Sequence, residues 1–317
     1  MPNQPADRLH RLPPYFILSR EVSRTLQNKA PLVALESTVI THGLPHPENL
    51  ALARDMENEV RQAGSIPAMI AVVDGKIHVG LDDAQLERLA TAPHPRKISV
   101  RDFAPVLVGR GSGGTTVAAT LYAAEQVGIR VFATGGIGGI HRDTPFDISA
   151  DLPQLAKTPV IVVCAGAKAI LDLPRTLEYL ETLGIPVIGY QTDEFPAFYS
   201  RESGLPVSTR ADTPAEVAAI ASTHRGLGMK SAVLVTAPPP LEIALPADQV
   251  EDAIEQALSE AREQQVRGQA VTPFLLNRVS ELTGKASLHA NLGLLRNNAR
   301  IAAQIAQNLT SGREKSL

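Results

Sequence analysis

A single lysine closes an otherwise apolar run. The segment Pro159-Val-Ile-Val-Val-Cys-Ala-Gly-Ala-Lys168 holds only apolar or small residues until Lys168. A run of this kind reads as a buried strand. Gly166 and Ala167 let the chain turn sharply and let another molecule approach the backbone. Lys168 then stands at the strand's carboxyl end, where open α/β sheets bind ligands. An ammonium beside an apolar wall has its charged form disfavoured, and a neutral amine attacks carbonyl carbon. The competing reading is a lysine at a helix start with its head in water.

Other groups could serve the same chemistry. Glu36 follows the short apolar strand Leu32-Val-Ala-Leu35, again at a carboxyl end, and could act as general acid or base. Gly111-Ser-Gly-Gly-Thr115-Thr116 opens a helix and offers amides and two hydroxyls to a phosphate. A plain turn with Thr115 as helix cap explains the same residues. Lys97, in a basic loop ahead of that segment, could neutralise the same phosphate.

Asp147 and Asp151 bracket Ser149, a spacing that suits a divalent cation or sugar hydroxyls. Asp151 as cap of a helix over 152–156 is the alternative. Gly135-Gly-Ile-Gly-Gly139 follows a strand, but its spacing is not that of a dinucleotide fingerprint. It reads as a flexible loop close to a ligand. His42 and His46 lack a third ligand, which makes them a poor zinc pattern. Asn291, Asn297 and Asn298 lie on a helical stretch that asparagine does not favour, so one or more is expected to face a ligand.

These residues need elements to hold them. Strand-like and helix-like segments alternate along the first two thirds of the chain. Asp74-Gly75 marks a hairpin between 68–73 and 76–79. Helices are expected over 47–63, 116–127 and 174–183, each followed by glycine. Strands are expected over 130–134, 159–165, 186–190 and 231–237. The last third reads as helices over 247–265, 273–282 and 287–309. Alternation of this kind implies βαβ units. The expected fold is a three-layer α/β/α sandwich with a largely parallel central sheet and a helical C-terminal layer. Residues 1–28 are expected to form an N-terminal arm, poorly ordered to about Tyr15, ahead of one domain over 29–317.

Composition narrows the function classes. One cysteine cannot form an internal disulfide and suits a reducing, cytoplasmic setting. A net charge of -3 and the absence of tryptophan argue against a general nucleic-acid binder. No apolar run reaches the length of a membrane span.

Taken in order, several blocks resemble one family. They are Ala34-Leu-Glu-Ser-Thr38, Thr41-His-Gly-Leu-Pro45, Asp74-Gly-Lys76, Gly114-Thr-Thr-Val117, Ala133-Thr-Gly-Gly-Ile-Gly-Gly139, Asp147-Ile-Ser-Ala-Asp151, Cys164-Ala-Gly-Ala-Lys168, Tyr190-x-Thr-Asp-Glu-Phe-Pro-Ala-Phe198 and Thr272-Pro-Phe-Leu-Leu276. Together they are similar to the pseudouridine-5'-phosphate glycosidases, the indigoidine synthase A-like family. The resemblance implies reversible cleavage of the C–C bond between uracil and ribose 5-phosphate by a lyase-type glycosidase. It implies Lys168 as the imine-forming lysine and Glu36 as proton donor. Lys97, Val117, Ser149, Ala150 and Asp151 fall on substrate-binding positions, and Asn291 on a phosphate-side asparagine. Asp147 falls on the ligand of a divalent cation, typically manganese, and the assembly implied is a homotrimer. The stretch His141–Asp147 is shorter than in the family's bacterial members. Two alternatives stand beside this reading: another imine-forming lyase or aldolase for a phosphorylated sugar, and a non-catalytic nucleotide-binding sensor.

Overall fold

The computed structural model describes residues 12–142 and 146–311. In chain order the strands are β1 (Phe16–Leu18), β2 (Leu32–Leu35), β3 (Ile66–Val73), β4 (Lys76–Val79), β5 (Arg96–Ile98), β6 (Gly113–Thr115), β7 (Val131–Ala133), β8 (Ile140–His141), β9 (Ile161–Cys164), β10 (Leu171–Asp172), β11 (Val187–Tyr190), β12 (Thr209–Ala211) and β13 (Val233–Thr236). Eleven of them form one sheet in the order β1-β4-β3-β2-β7-β9-β13-β11-β12, with β6 on β3 and β5 on β6. β8 and β10 make a separate antiparallel pair.

From β3 to β12 along that order every pairing is parallel. β3 pairs antiparallel with β4 and with β6. The long strand β3 therefore joins the parallel sheet to an antiparallel flap that carries β5 and Lys97. Strands β2, β7, β9, β11 and β13 are buried along their whole length. That is why they read as unbroken apolar runs with no alternation.

The last helix, Ala286–Ser311, lies against β2, β7 and β9 and packs beside helices Glu48–Gln62 and Pro214–Gly226. It is thus the middle of one flanking layer. Helices Ala247–Glu263 and Val271–Leu282 pack on each other, and the second touches Ala286–Ser311. The expected C-terminal helical layer is therefore divided between a flank of the sheet and a pair outside it. Of the arm expected over 1–28, Phe16–Leu18 is an edge strand beside β4 and Arg20–Gln27 is a helix capped by Ser19. Residues 1–11 lie outside the described residues.

Among the described residues no helix is long and apolar enough to cross a membrane.

Candidate active site

The sheet reverses its winding between β2 and β7. From β2 the chain moves to β3 on one side, while β7 leads to β9 on the other. Ligands of open α/β folds bind at the carboxyl ends of strands flanking such a point. Here Glu36 follows β2, Thr134 follows β7, and Lys168 lies four residues beyond the end of β9 at Cys164.

Two cavities open at this edge. The larger has a volume of about 640 Å³ and the smaller about 60 Å³. Glu36, Thr38, Lys97, Lys168 and Thr272 line both. The acid and two lysines singled out in the sequence thus share one junction. Thr116, Val117, Asp147, Ser149, Ala150 and Asp151 line only the larger cavity, and Asn291 only the smaller. Thr272 brings the C-terminal helices into the wall.

Glu36 is buried, and both its carboxylate oxygens are held by hydroxyls. Thr134 donates to Oε1 and Thr38 to Oε2. The register of β2 on β7 explains the first contact. Ala34 stands opposite Phe132 and Leu35 opposite Ala133, so Glu36 is carried to Thr134 as the strands end.

The lysine loop is fixed against the glycine run. Lys168 donates its amide to the Ile137 carbonyl at 3.1 Å, and Ile137 donates to Gly166 at 3.0 Å. Gly166 adopts φ +86°, and a Cβ there would strike the Pro196 carbonyl. Residues 135–139 are all buried. The flexible loop expected there is instead packed and hydrogen-bonded on both sides, and a Cβ on Gly138 would meet Ser149 Oγ and the Asp151 carboxylate. Cys164, the residue ending β9, is buried and unpaired, and burial pushes its thiol up to about 12. It is protonated at neutral pH, which makes it a poor nucleophile.

Burial lowers the pKa of Lys97, and the nearby charge of Lys168 lowers it further. The same two causes act on His141, where burial lowers the imidazole and Asp147 opposes the shift. His141 lines the larger cavity, yet nothing in its sequence context assigned it a role. Burial lowers His42 as well, with Lys97 adding to it; this residue lines the smaller cavity and pairs with Thr41 at 2.7 Å.

The glycine-rich segment departs from expectation. Gly113–Thr115 is a strand paired with β3 and β5 rather than an open loop. The Thr115 amide donates to Ser37 Oγ at 2.9 Å and its hydroxyl to the Ile70 carbonyl at 2.6 Å. Thr115 lines neither cavity. It has no donor left for a phosphate, and the helix cap is Thr116. Asp151 likewise does not cap its own helix, Asp151–Leu155, whose cap is Ala150. Its carboxylate instead accepts the amides of Ala118 and Gly138, each at 2.8 Å. A carboxylate has about four acceptor sites, so Asp151 retains capacity toward the cavity it lines. Of the three asparagines, Asn297 accepts from Arg300 at 2.8 Å, and Asn298 is fully buried.

Asp147 is the carboxylate expected to meet a divalent cation. Asp147 is exposed to the larger cavity, and its carboxylate has no hydrogen bond or ion pair among the described residues. No group of three or more His, Cys, Asp or Glu able to hold a metal occurs among the described residues. One free carboxylate beside a polar cavity fits a hard ion that keeps most of its waters, and does not fit a closed all-protein cage. In the stretch expected to be shorter than in relatives, residues 143–145 lie outside the described residues.

An acid and two lysines gathered at the carboxyl edge of a parallel sheet define an α/β enzyme of small-molecule substrates. The chain belongs to the indigoidine synthase A-like family, whose sequence model matches residues 21–308. Curated relatives include the pseudouridine-5'-phosphate glycosidase of Solibacter usitatus, 54% identical over 291 residues, which covers 91% of this chain and 97% of that protein. The enzyme of the same name from Geobacillus kaustophilus is 51% identical, covering 93% of this chain and 99% of its own. Among solved structures, the prealnumycin C-glycosynthase AlnA in complex with ribulose 5-phosphate superposes with a TM-score of 0.88 at 40% identity, covering 96% of this chain and 99% of the other. An indigoidine synthase A-like protein from Thermotoga maritima gives a TM-score of 0.84 at 36% identity, covering 89% and 94%.

Proposed function

We propose that this protein cleaves the C–C glycosidic bond of pseudouridine 5'-phosphate, reversibly, to uracil and ribose 5-phosphate. The observation that carries the reading is the convergence of Glu36, Lys97 and Lys168 where the two cavities meet. The relatives above, half identical over nine tenths of the chain, bear the name of that activity.

A carbon leaving group resists the acid catalysis that two carboxylates provide in ordinary glycosidases. A lysine splits the task. Glu36 protonates the ring oxygen as the C1'–O4' bond breaks, and the sugar opens. The Lys168 amine bonds to C1'. The bonded nitrogen gives up a proton to solvent, its regained lone pair forms the C1'=N bond, the C1'–C5 electron pair passes to C5, and C5 takes up a proton as uracil leaves. Water adds to the resulting imine and returns the free amine with ribose 5-phosphate. Lys97 supplies positive charge for the phosphorylated sugar, and the Thr116–Val117 turn and residues 149–151 line the cavity that receives it.

Asp147 would hold the divalent cation, manganese by the family resemblance, which supplies orientation and charge stabilisation when bound. The homotrimer and the cytoplasmic setting belong to the same reading; a lone buried cysteine suits a reducing compartment.

Incubation with pseudouridine 5'-phosphate and manganese should release free uracil. Release of a different product from a phosphorylated sugar would favour another imine-forming lyase, and no turnover at high enzyme concentration would favour the sensor.

A further inference from the structure

Thr134 and Asn298 take no part in lining either cavity, yet both are spent on one task. Thr134 is 1% exposed, and its hydroxyl donates to Glu36 Oε1. Its own backbone is held from the other side. Asn298 Nδ2 donates to the Thr134 carbonyl at 2.9 Å and to the Gly135 carbonyl at 3.4 Å. Asn298 is 0% exposed, and its Oδ1 is the buried side-chain atom without a hydrogen-bond partner among the described residues. An unpaired buried acceptor is destabilising. Leucine would fill a similar volume without that cost. What asparagine alone supplies here is a pair of amide hydrogens aimed at the turn that ends β7.

We infer that Asn298 and Thr134 form a positioning unit for the proton donor: Asn298 fixes the Thr134–Gly135 turn, and the Thr134 hydroxyl fixes the Glu36 carboxyl group at the junction of the two cavities. This inference rests on the role of Glu36 proposed above. A hydroxyl suits the task because it donates to an ionised carboxylate and, after rotating, accepts from a protonated one. Thr134 therefore holds Glu36 on both sides of its proton transfer. Thr38 does the same for Oε2, but it lines the cavities and is open to substrate. Thr134 acts only through Glu36.

The test uses steady-state uracil release from pseudouridine 5'-phosphate with manganese. Thr134→Val keeps the shape and removes the hydroxyl; Thr134→Ser keeps the hydroxyl. Loss of the hydrogen-bond partner of a metal ligand typically costs about 10–100-fold, and the same order is expected for the partner of a reacting carboxyl group. Thr134→Val should lower kcat by that order with KM within about twofold, and Thr134→Ser should recover most of the rate. Asn298→Leu should lower kcat in the same direction, and the two changes combined should cost less than the product of the single effects. In a Glu36→Gln background, Thr134→Val should add no further loss. Wild-type kcat in a folded Thr134→Val protein, or an undiminished further loss in the Glu36→Gln background, would overturn the inference. If Thr134→Val does not fold, Asn298→Leu and its combination with Glu36→Gln decide by the same criteria. No uracil release from the unmodified protein would remove the functional reading and the positioning role with it. Release from the unmodified protein with Thr134→Val unaffected removes the positioning role alone.

Discussion

The Asp151 carboxylate accepts the backbone amide of Ala118 at 2.8 Å, joining the helix Asp151–Leu155 to the start of helix Val117–Val127. Its second oxygen takes the Gly138 amide. Asp151 therefore ties three walls of the larger cavity together. Hydrogen bonds to a charged group contribute roughly 1.5–3 kcal/mol each, and the site is buried. Asp151→Ala should destabilise the protein by about 3 kcal/mol, read from the denaturant midpoint. Asp151→Asn keeps the shape and one acceptor, so it should cost less. Equal midpoints for all three proteins would remove this bracing role.

Lys168 should be trappable. Borohydride added with ribose 5-phosphate should fix the sugar to the protein as a stable secondary amine, located by peptide mass mapping. Lys168→Arg, which cannot form the imine, should show neither adduct nor uracil release. An active enzyme that carries no adduct on Lys168 would reject the covalent route.

Lys97 should trade stability for function. Burial and the charge of Lys168 lower its folded pKa below the unfolded value. The folded state then gives up a proton before the unfolded state does as pH rises. The penalty for holding the charge is thus present in full at pH values below the folded pKa and is relieved as pH climbs through it. Lys97→Met should raise Tm of the ligand-free protein at pH 7 while raising KM more than it lowers kcat. A lowered Tm with unchanged KM would contradict both halves.

Glu57 offers a control far from the chemistry. It lies on helix Glu48–Gln62, lines neither cavity, and burial raises its pKa to about 7. The unfolded chain ionises first, so stability is lost as pH rises from near 4.5 through about 7. Glu57→Gln should match wild type in Tm near pH 4, exceed it above pH 8, and leave turnover alone. A Tm difference that is constant across this range would refute the assignment.

Metal binding at Asp147 can be read without turnover. Asp147→Asn should weaken manganese binding in a titration followed by the paramagnetic resonance of the free ion. A chelator should abolish uracil release from the unmodified protein. Unchanged binding in the variant would move the cation elsewhere.

Much of this architecture is written locally. The runs that became β2, β9, β11 and β13 are apolar throughout because both faces of the sheet are covered. Asp74-Gly75 marks its hairpin because a tight turn needs positive φ, and both residues adopt it. Lys168 and Glu36 were legible because each closes an apolar run at a carboxyl end.

What escaped is long-range. Gly113–Thr115 has little intrinsic strand preference and becomes β6 only by pairing with β3 and β5. The hydroxyl that braces Glu36 lies 98 residues away, and parallel register between β2 and β7 leaves no local mark. The Asp151 side chain also fitted a cap because the amides that donate to it, those of Ala118 and Gly138, lie on chain segments that only the tertiary fold brings near.

The central position of helix Ala286–Ser311 also orders events in time. Ser65 bonds to Ala303, and Thr134 to Asn298, so part of one face of the sheet stays uncovered until helix Ala286–Ser311 has been made. Contacts of such wide separation slow folding, and domains consolidate as synthesis proceeds from the amino end. The acid and both lysines are therefore translated well before the helix that completes the cover of their sheet.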